Sequence, residues 1–168
     1  MRIIGIDPGL QRTGWGIIDI AGSKLTHIAH GVLATSVKTA TAERLGAIFE
    51  GLTQMMTLWQ PEEAAIEETF VNKNPLSSLK LGLARGVAMV APAKLGLSVA
   101  EYPANLVKKS VVGTGHAEKE QVQAMIRILL PGVEAASDAA DALAVAICHA
   151  HHRMSKTSMG GIMPGGVE

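Results

Sequence analysis

Four carboxylates stand where an acid is energetically awkward. Asp7 follows the apolar run Ile3-Ile4-Gly5-Ile6, and Glu67 follows Ala64-Ala65-Ile66. Asp138 and Asp141 lie three apart at the head of "SDAADALAVA", residues 137–146. A carboxylate at the tip of a buried strand loses water and stays ionised only if something compensates it. Gathered at one place, four such groups repel unless cations sit among them. Oxygen ligands with no matching Cys or His favour Mg²⁺ or Mn²⁺. Two such ions ~3.5–4 Å apart drive in-line phosphodiester hydrolysis, one activating water and the other stabilising the leaving oxygen. Taken singly, each acid has an ordinary alternative. Asp7-Pro8-Gly9 is also a capped turn. Asp138 also suits the first turn of a helix, and Glu67 and Glu68 also suit a sheet edge.

The elements that must position these acids follow from hydrophobic period and turn signals. Residues 2–7, 13–20 and 24–34 read as three strands joined by short links, hence an antiparallel meander. A helix over 42–59 carries Leu45, Ile48, Phe49, Leu52, Met55, Met56 and Trp59 at three- and four-residue spacing, and Pro61 stops it. "EAAIEE", 63–68, is a fourth strand. Asn74 is placed to cap a second helix with Pro75 as its first residue, running to about 95, with Pro92 as a possible early stop. "LSVAEY", 97–102, is a fifth strand. Pro103 opens a short helix bearing Lys108 and Lys109, and helices over 117–130 and 137–152 follow. The order is three strands and then alternation, which predicts an α/β fold: a mixed five-stranded sheet with helices on both faces. If the first and fourth strands are parallel neighbours, they lie about 4.8 Å apart. Both then end at the carboxyl edge, where open α/β sheets place ligands. The local match, Gly5-Ile6-Asp7 with Ala65-Ile66-Glu67, selects Glu67 over Glu68, since adjacent strand residues face opposite sides.

Composition narrows the class. The 168 residues predict one domain over 1–152, and the Gly-, Ser- and Met-rich stretch 153–168 predicts a disordered tail. Apolar residues make up 48% of the chain, with two Trp, two Phe and one Tyr. The core must therefore be aliphatic. One cysteine, Cys148, excludes an internal disulfide and suits a reducing, cytoplasmic setting. No apolar run reaches the ~18 residues of a membrane span. Net charge is zero, but residues 73–127 hold eight Lys and Arg against three acids, while both flanks are acidic. An acidic site beside a basic middle offers a surface for phosphates. His149, His151 and His152 invite a metal reading. His149, however, lies about 12 Å along a helix from Asp141, too far to share an ion, so a solvated helix end is expected. No nucleophile triad or Walker loop is present; "GTG" at 113–115 is too short.

The blocks "GIDPGLQRTGWGI", "AIEETFVNKN", "SLKLGLARG", "VKKSVVGTGHAEKEQV" and "DAADALAVAICH" together resemble the RuvC family of bacterial Holliday-junction resolvases, in that family's order and spacing from about residue 2 to 150. The resemblance implies a ribonuclease H-like fold. It implies a homodimer that cuts two opposing strands of a four-way DNA junction symmetrically, with two Mg²⁺ ions per active site and Mn²⁺ as a substitute. It puts the catalytic, metal-holding carboxylates on Asp7, Glu67, Asp138 and Asp141, and the aromatic wedge at the crossover on Phe70, whose ring can stack on an unpaired base. DNA-contact lysines fall on Lys108 and Lys119, and the basic middle adds Lys80, Arg85 and Lys109. The helix around Leu79 to Val90 is the implied dimer element, and the branch-migration complex the implied partner. Glu68 and Pro92 depart from the pattern, the first adding a charge and the second threatening the dimer helix. Other readings are a ribonuclease H-like nuclease of another substrate, an actin-like ATPase half, or an inactive junction-binding module. The ATPase half needs a second domain that 168 residues cannot hold, and the intact acid set argues against the inactive module.

Overall fold

The structure, a computed structural model, describes residues 1–68 and 74–159. Its order is β1 (Arg2–Asp7), β2 (Arg12–Ala21), β3 (Lys24–Ala34), α1 (Thr41–Trp59), β4 (Glu63–Glu68), α2 (Pro75–Lys94), β5 (Ser98–Pro103), α3 (Ala104–Val112), α4 (Lys119–Leu129) and α5 (Ser137–Met159). The five strands form one sheet in the order β3-β2-β1-β4-β5. β1 pairs antiparallel with β2 and parallel with β4, with Ile6 beside Ile66. β4 and β5 are parallel. β1 is the central strand, which is why its run of isoleucines is buried on both faces.

Each face has its own core. Ile3, Ile18 and Ala65 meet α3, α4 and α5, while Ile4, Ile17 and Ile66 meet α1 and α2. The alternation assigns Asp7 and Glu67 to the α5 face and Glu68 to the other, so the extra charge of Glu68 turns away from Asp7.

α5 lies directly on the sheet. A methyl on Gly5 would run into the Ala142 carbonyl, and one on Gly14 into the Asp138 carbonyl. These two glycines seat the helix on β1 and β2, and the alanines of "DAADALAVA" allow the approach.

Two expectations change, whereas α2 runs to Lys94 as expected and Pro92 does not stop it early. Pro92 falls in the last turn, where its own carbonyl still accepts from Leu95 and Leu97 N–H groups at 3.0 and 3.1 Å. α5 runs to Met159, past 152, because no Gly or Pro interrupts the sequence before Gly160. The extended α5 stays packed against its neighbours, so its histidines do not form a solvated end. His149 is buried, and His151 Nδ1 lies 3.1 Å from the Ser110 carbonyl of α3. Asn74 caps α2 as expected, accepting from Leu76 N–H at 3.0 Å.

Candidate active site

Asp7 is the last residue of β1 and Glu67 the last but one of β4, on adjacent parallel strands. Past Asp7 the chain turns sharply. The buried Thr13 hydroxyl donates to the Gly9 carbonyl at 2.7 Å and closes the hairpin that leads into β2. Asp138 and Asp141 occupy the start of α5, above the ends of both strands.

A cavity of about 250 Å³ opens there, lined by Asp7, Glu67, Asp141, Lys108 and Lys119 among others. Lys119 is placed by a capping box at the start of α4, in which Glu118 N–H donates to the Gln121 side chain at 2.8 Å. Its ammonium group donates to Asp141 Oδ2 at 2.8 Å. Asp138 is outside this lining, and Arg12 Nε holds its Oδ2 at 2.6 Å.

The electrostatics are those of a site with excess negative charge. Burial, then the charges of Glu67, Asp141 and Asp138, push Asp7 up to about 8, with Lys119 opposing. Burial and then Asp141 push Glu67 up to about 7, with Lys108 and Lys119 opposing. The hydrogen bond to Asp141 raises Lys119 in turn. A divalent cation reverses this logic, because it favours the ionised form of every carboxylate around it. The oxygen-only donor set fits a hard cation. Among the described residues, no three His, Cys, Asp or Glu side chains are yet drawn together around one point. Asp138 and Asp141 are instead held by Arg12 and Lys119.

The other candidates divide. Lys108 joins the acids at the cavity. Lys109 is exposed one residue further round α3. Lys80 is exposed on α2, beside Leu10 and Gln11 on the far face of the sheet. Arg85, also on α2, is paired with Glu101 of β5, and its Nε is buried without a partner among the described residues. Phe70 lies outside the described residues. Sequence reasoning missed Arg12 and Thr13. Both sit in the quoted "GLQRTG" turn, but their partners lie elsewhere in the fold, and nothing local marks Arg12 as the counterion of Asp138.

The family model for crossover junction endodeoxyribonuclease RuvC matches residues 3–149. A crossover junction endodeoxyribonuclease RuvC from Paramagnetospirillum magneticum is 60% identical over 154 residues, covering 91% of this chain and 93% of the relative. One from Maricaulis maris is 58% identical, covering 95% and 96%. Thermus thermophilus RuvC, solved in complex with a Holliday junction substrate, superposes with a TM-score of 0.87 at 34% identity, covering 94% of this chain and 97% of that one. The mixed five-stranded sheet is the ribonuclease H-like sheet of these nucleases. The acids at the ends of β1 and β4 and the start of α5 thus sit in a chain that matches along nearly its whole length, and the chain belongs to the RuvC family of crossover junction endodeoxyribonucleases.

Proposed function

We propose that this protein is a structure-specific endonuclease that resolves Holliday junctions, hydrolysing phosphodiester bonds symmetrically in two opposing strands during DNA recombination and repair. The observation that carries the reading is the convergence of Asp7, Glu67 and Asp141 with Lys108 and Lys119 on one cavity, in a chain 60% identical to a crossover junction endodeoxyribonuclease. Asp7, Glu67, Asp138 and Asp141 would hold two Mg²⁺ ions, or Mn²⁺ in their place. When bound, these ions supply an activated water and charge stabilisation of the leaving oxygen. Asp7 and Glu67 approach from the sheet, and Asp138 and Asp141 from the helix. Lys119, now paired with Asp141, would be free to meet a strand phosphate where a cation satisfied that carboxylate. Lys108 neutralises a second phosphate beside Glu67.

Exposed Lys80 and Lys109 extend this contact along the arms, Arg85 adds charge if it leaves Glu101, and the Phe70 ring stacks at the crossover. Two active sites require two copies, and a two-fold dimer suits a two-fold junction. The groove between α1 and α2, lined by Leu45, Phe49, Leu83 and Val87 and continued by exposed Leu76 and Leu79, is the apolar face such a dimer would bury. The branch-migration complex is the expected partner on the junction, and the cytoplasm the expected compartment. No helix among the described residues is long and apolar enough to cross a membrane.

The test is cleavage of a four-way junction beside linear duplex and RNA–DNA hybrid, with Mg²⁺. Paired nicks in opposing strands of the junction alone are expected. Equal cutting of all three substrates, or none, overturns the reading.

A further inference from the structure

Eight residues beyond Asp141, α5 carries a buried histidine that takes no part in the chemistry above. Its Nε2 lies 2.7 Å from Glu63 Oε2, and its Nδ1 lies 2.8 Å from the Tyr102 hydroxyl. Arg153, one helical turn on, pairs with the other oxygen of Glu63. The Tyr102 ring packs edge-on against His149 and tilted against His152, with centroids 5.7 and 5.0 Å apart. A neutral ring satisfies both ends at once, with the tyrosine hydroxyl donating to Nδ1 and Nε2–H donating to the carboxylate.

The partners are significant for where they lie. Glu63 opens β4, the strand that carries Glu67. Tyr102 is the register partner of Glu67 on β5. A closed path therefore runs from Glu67 down β4 to Glu63, across to His149, and back up α5 to Asp141. The glycine seats at Gly5 and Gly14 hold α5 to β1 and β2, which sets its distance from Asp7. Among the contacts of this network, those of His149 tie the helix to β4 and β5, the side that carries Glu67. Steric seats set the height of a helix over a sheet. Directional hydrogen bonds set its rotation and slide.

We propose that His149, with Glu63 and Tyr102, is a positioning clamp that holds Asp141 in place beside Glu67 on the cavity where the carboxylates would hold a cation. The proposal rests on the carboxylate site described above. Partners that orient metal ligands commonly change metal affinity by about 10- to 100-fold when removed, and the clamp acts one step further out.

The experiment is Mn²⁺ titration of the full-length, junction-free protein by calorimetry, with circular dichroism as the check on folding. His149→Ala is expected to raise the Mn²⁺ Kd about 10-fold, and Tyr102→Phe, which deletes one hydroxyl, about 3-fold. His149→Gln keeps a donor toward Glu63 and is expected to return the Kd to within about 3-fold of wild type. The Mg²⁺ concentration for half-maximal junction cleavage should shift in the same order. If His149→Ala fails to fold, Tyr102→Phe carries the test. Folded His149→Ala and Tyr102→Phe variants with a wild-type Kd and half-saturation overturn the clamp, and a lowered melting temperature alone would make His149 structural. Asp7→Asn is run in parallel. If it too leaves Mn²⁺ binding and cleavage unchanged, the carboxylate site itself is wrong and the clamp falls with it.

Discussion

Glu63 and Glu67 stand four residues apart on one face of β4 and meet opposite surroundings. Glu63 is enclosed by partners, with His149 on one oxygen and Arg153 on the other. Glu67 faces Asp7 and Asp141, and burial together with Asp141 pushes it up to about 7. One strand thus carries a satisfied acid at its start and an unsatisfied one at its end. Burying a charge is tolerable when it is paired and hydrogen-bonded. Leaving one buried among like charges costs stability, and it persists where something outside the chain supplies the compensation. The difference separates an acid that holds the fold from an acid that waits for a ligand.

Neutral amides at the two positions should therefore fail in opposite ways. Glu67→Gln and Asp7→Asn each remove a charged oxygen from the metal-holding set, and junction cleavage with Mg²⁺ should fall by about 10³-fold or more, about 4 kcal/mol in barrier. Gel-shift measurement without metal should find junction binding within about threefold of wild type. A variant that keeps cleavage within tenfold would remove its residue from the reaction. Glu63→Gln should instead cost stability. It turns an amide donor toward groups that now donate to a carboxylate, for about 1–3 kcal/mol, or about 3–10 °C in melting temperature for a chain of this length.

The sign of the pH response sharpens the contrast. Asp7 moves from an ordinary 3.8 up to about 8 on folding, and Glu67 from 4.5 to about 7. Between those limits the folded chain binds more protons than the unfolded one. Stability of the metal-free protein therefore falls as pH rises from about 4 to about 8. At pH 8 Asp7→Asn should melt several degrees above wild type, and saturating Mg²⁺ should bring wild type up to meet it. A metal-free melting curve that rises over this pH window contradicts the like-charge account.

What could be read from the chain depended on the span of each interaction. Asn74 and Pro75 announce the start of α2 because a cap is made with residues two and three positions on. The mixed sheet was legible because strand period and short links are local, and Glu67 was separable from Glu68 because pleat alternation forces a choice. The end of α5 lies past 152 because 153–159 holds no breaker and its Arg, Met and Lys residues favour helix. The place of His149 is hidden for a different reason. Its partners are 86 and 47 residues away, and a histidine on a helix looks the same whether it ends in water or against a buried glutamate. Arg12 and Asp138 are 126 residues apart, and no spacing rule links them.

Lys119 gives the smallest and most selective expectation. Its counterpart at the satisfied end of β4 is Arg153. Both are exposed, but Arg153 shares Glu63 with the buried His149, whereas Lys119 lines the cavity and is bonded to Asp141. Exposed ion pairs contribute roughly 0–1 kcal/mol, so Lys119→Ala should leave the melting temperature within about 2–4 °C of wild type. It also removes a cation that opposes the upward shifts of Asp7 and, with Lys108, of Glu67, so any stability loss should be largest in the metal-free protein near neutral pH. On a four-way junction, loss of one phosphate contact should reduce the slope of log affinity against log salt by about 1. An unchanged slope with a lowered melting temperature would make Lys119 a structural counterion like Arg153. An unchanged melting temperature with a reduced slope would mark it as a cation held in reserve for DNA.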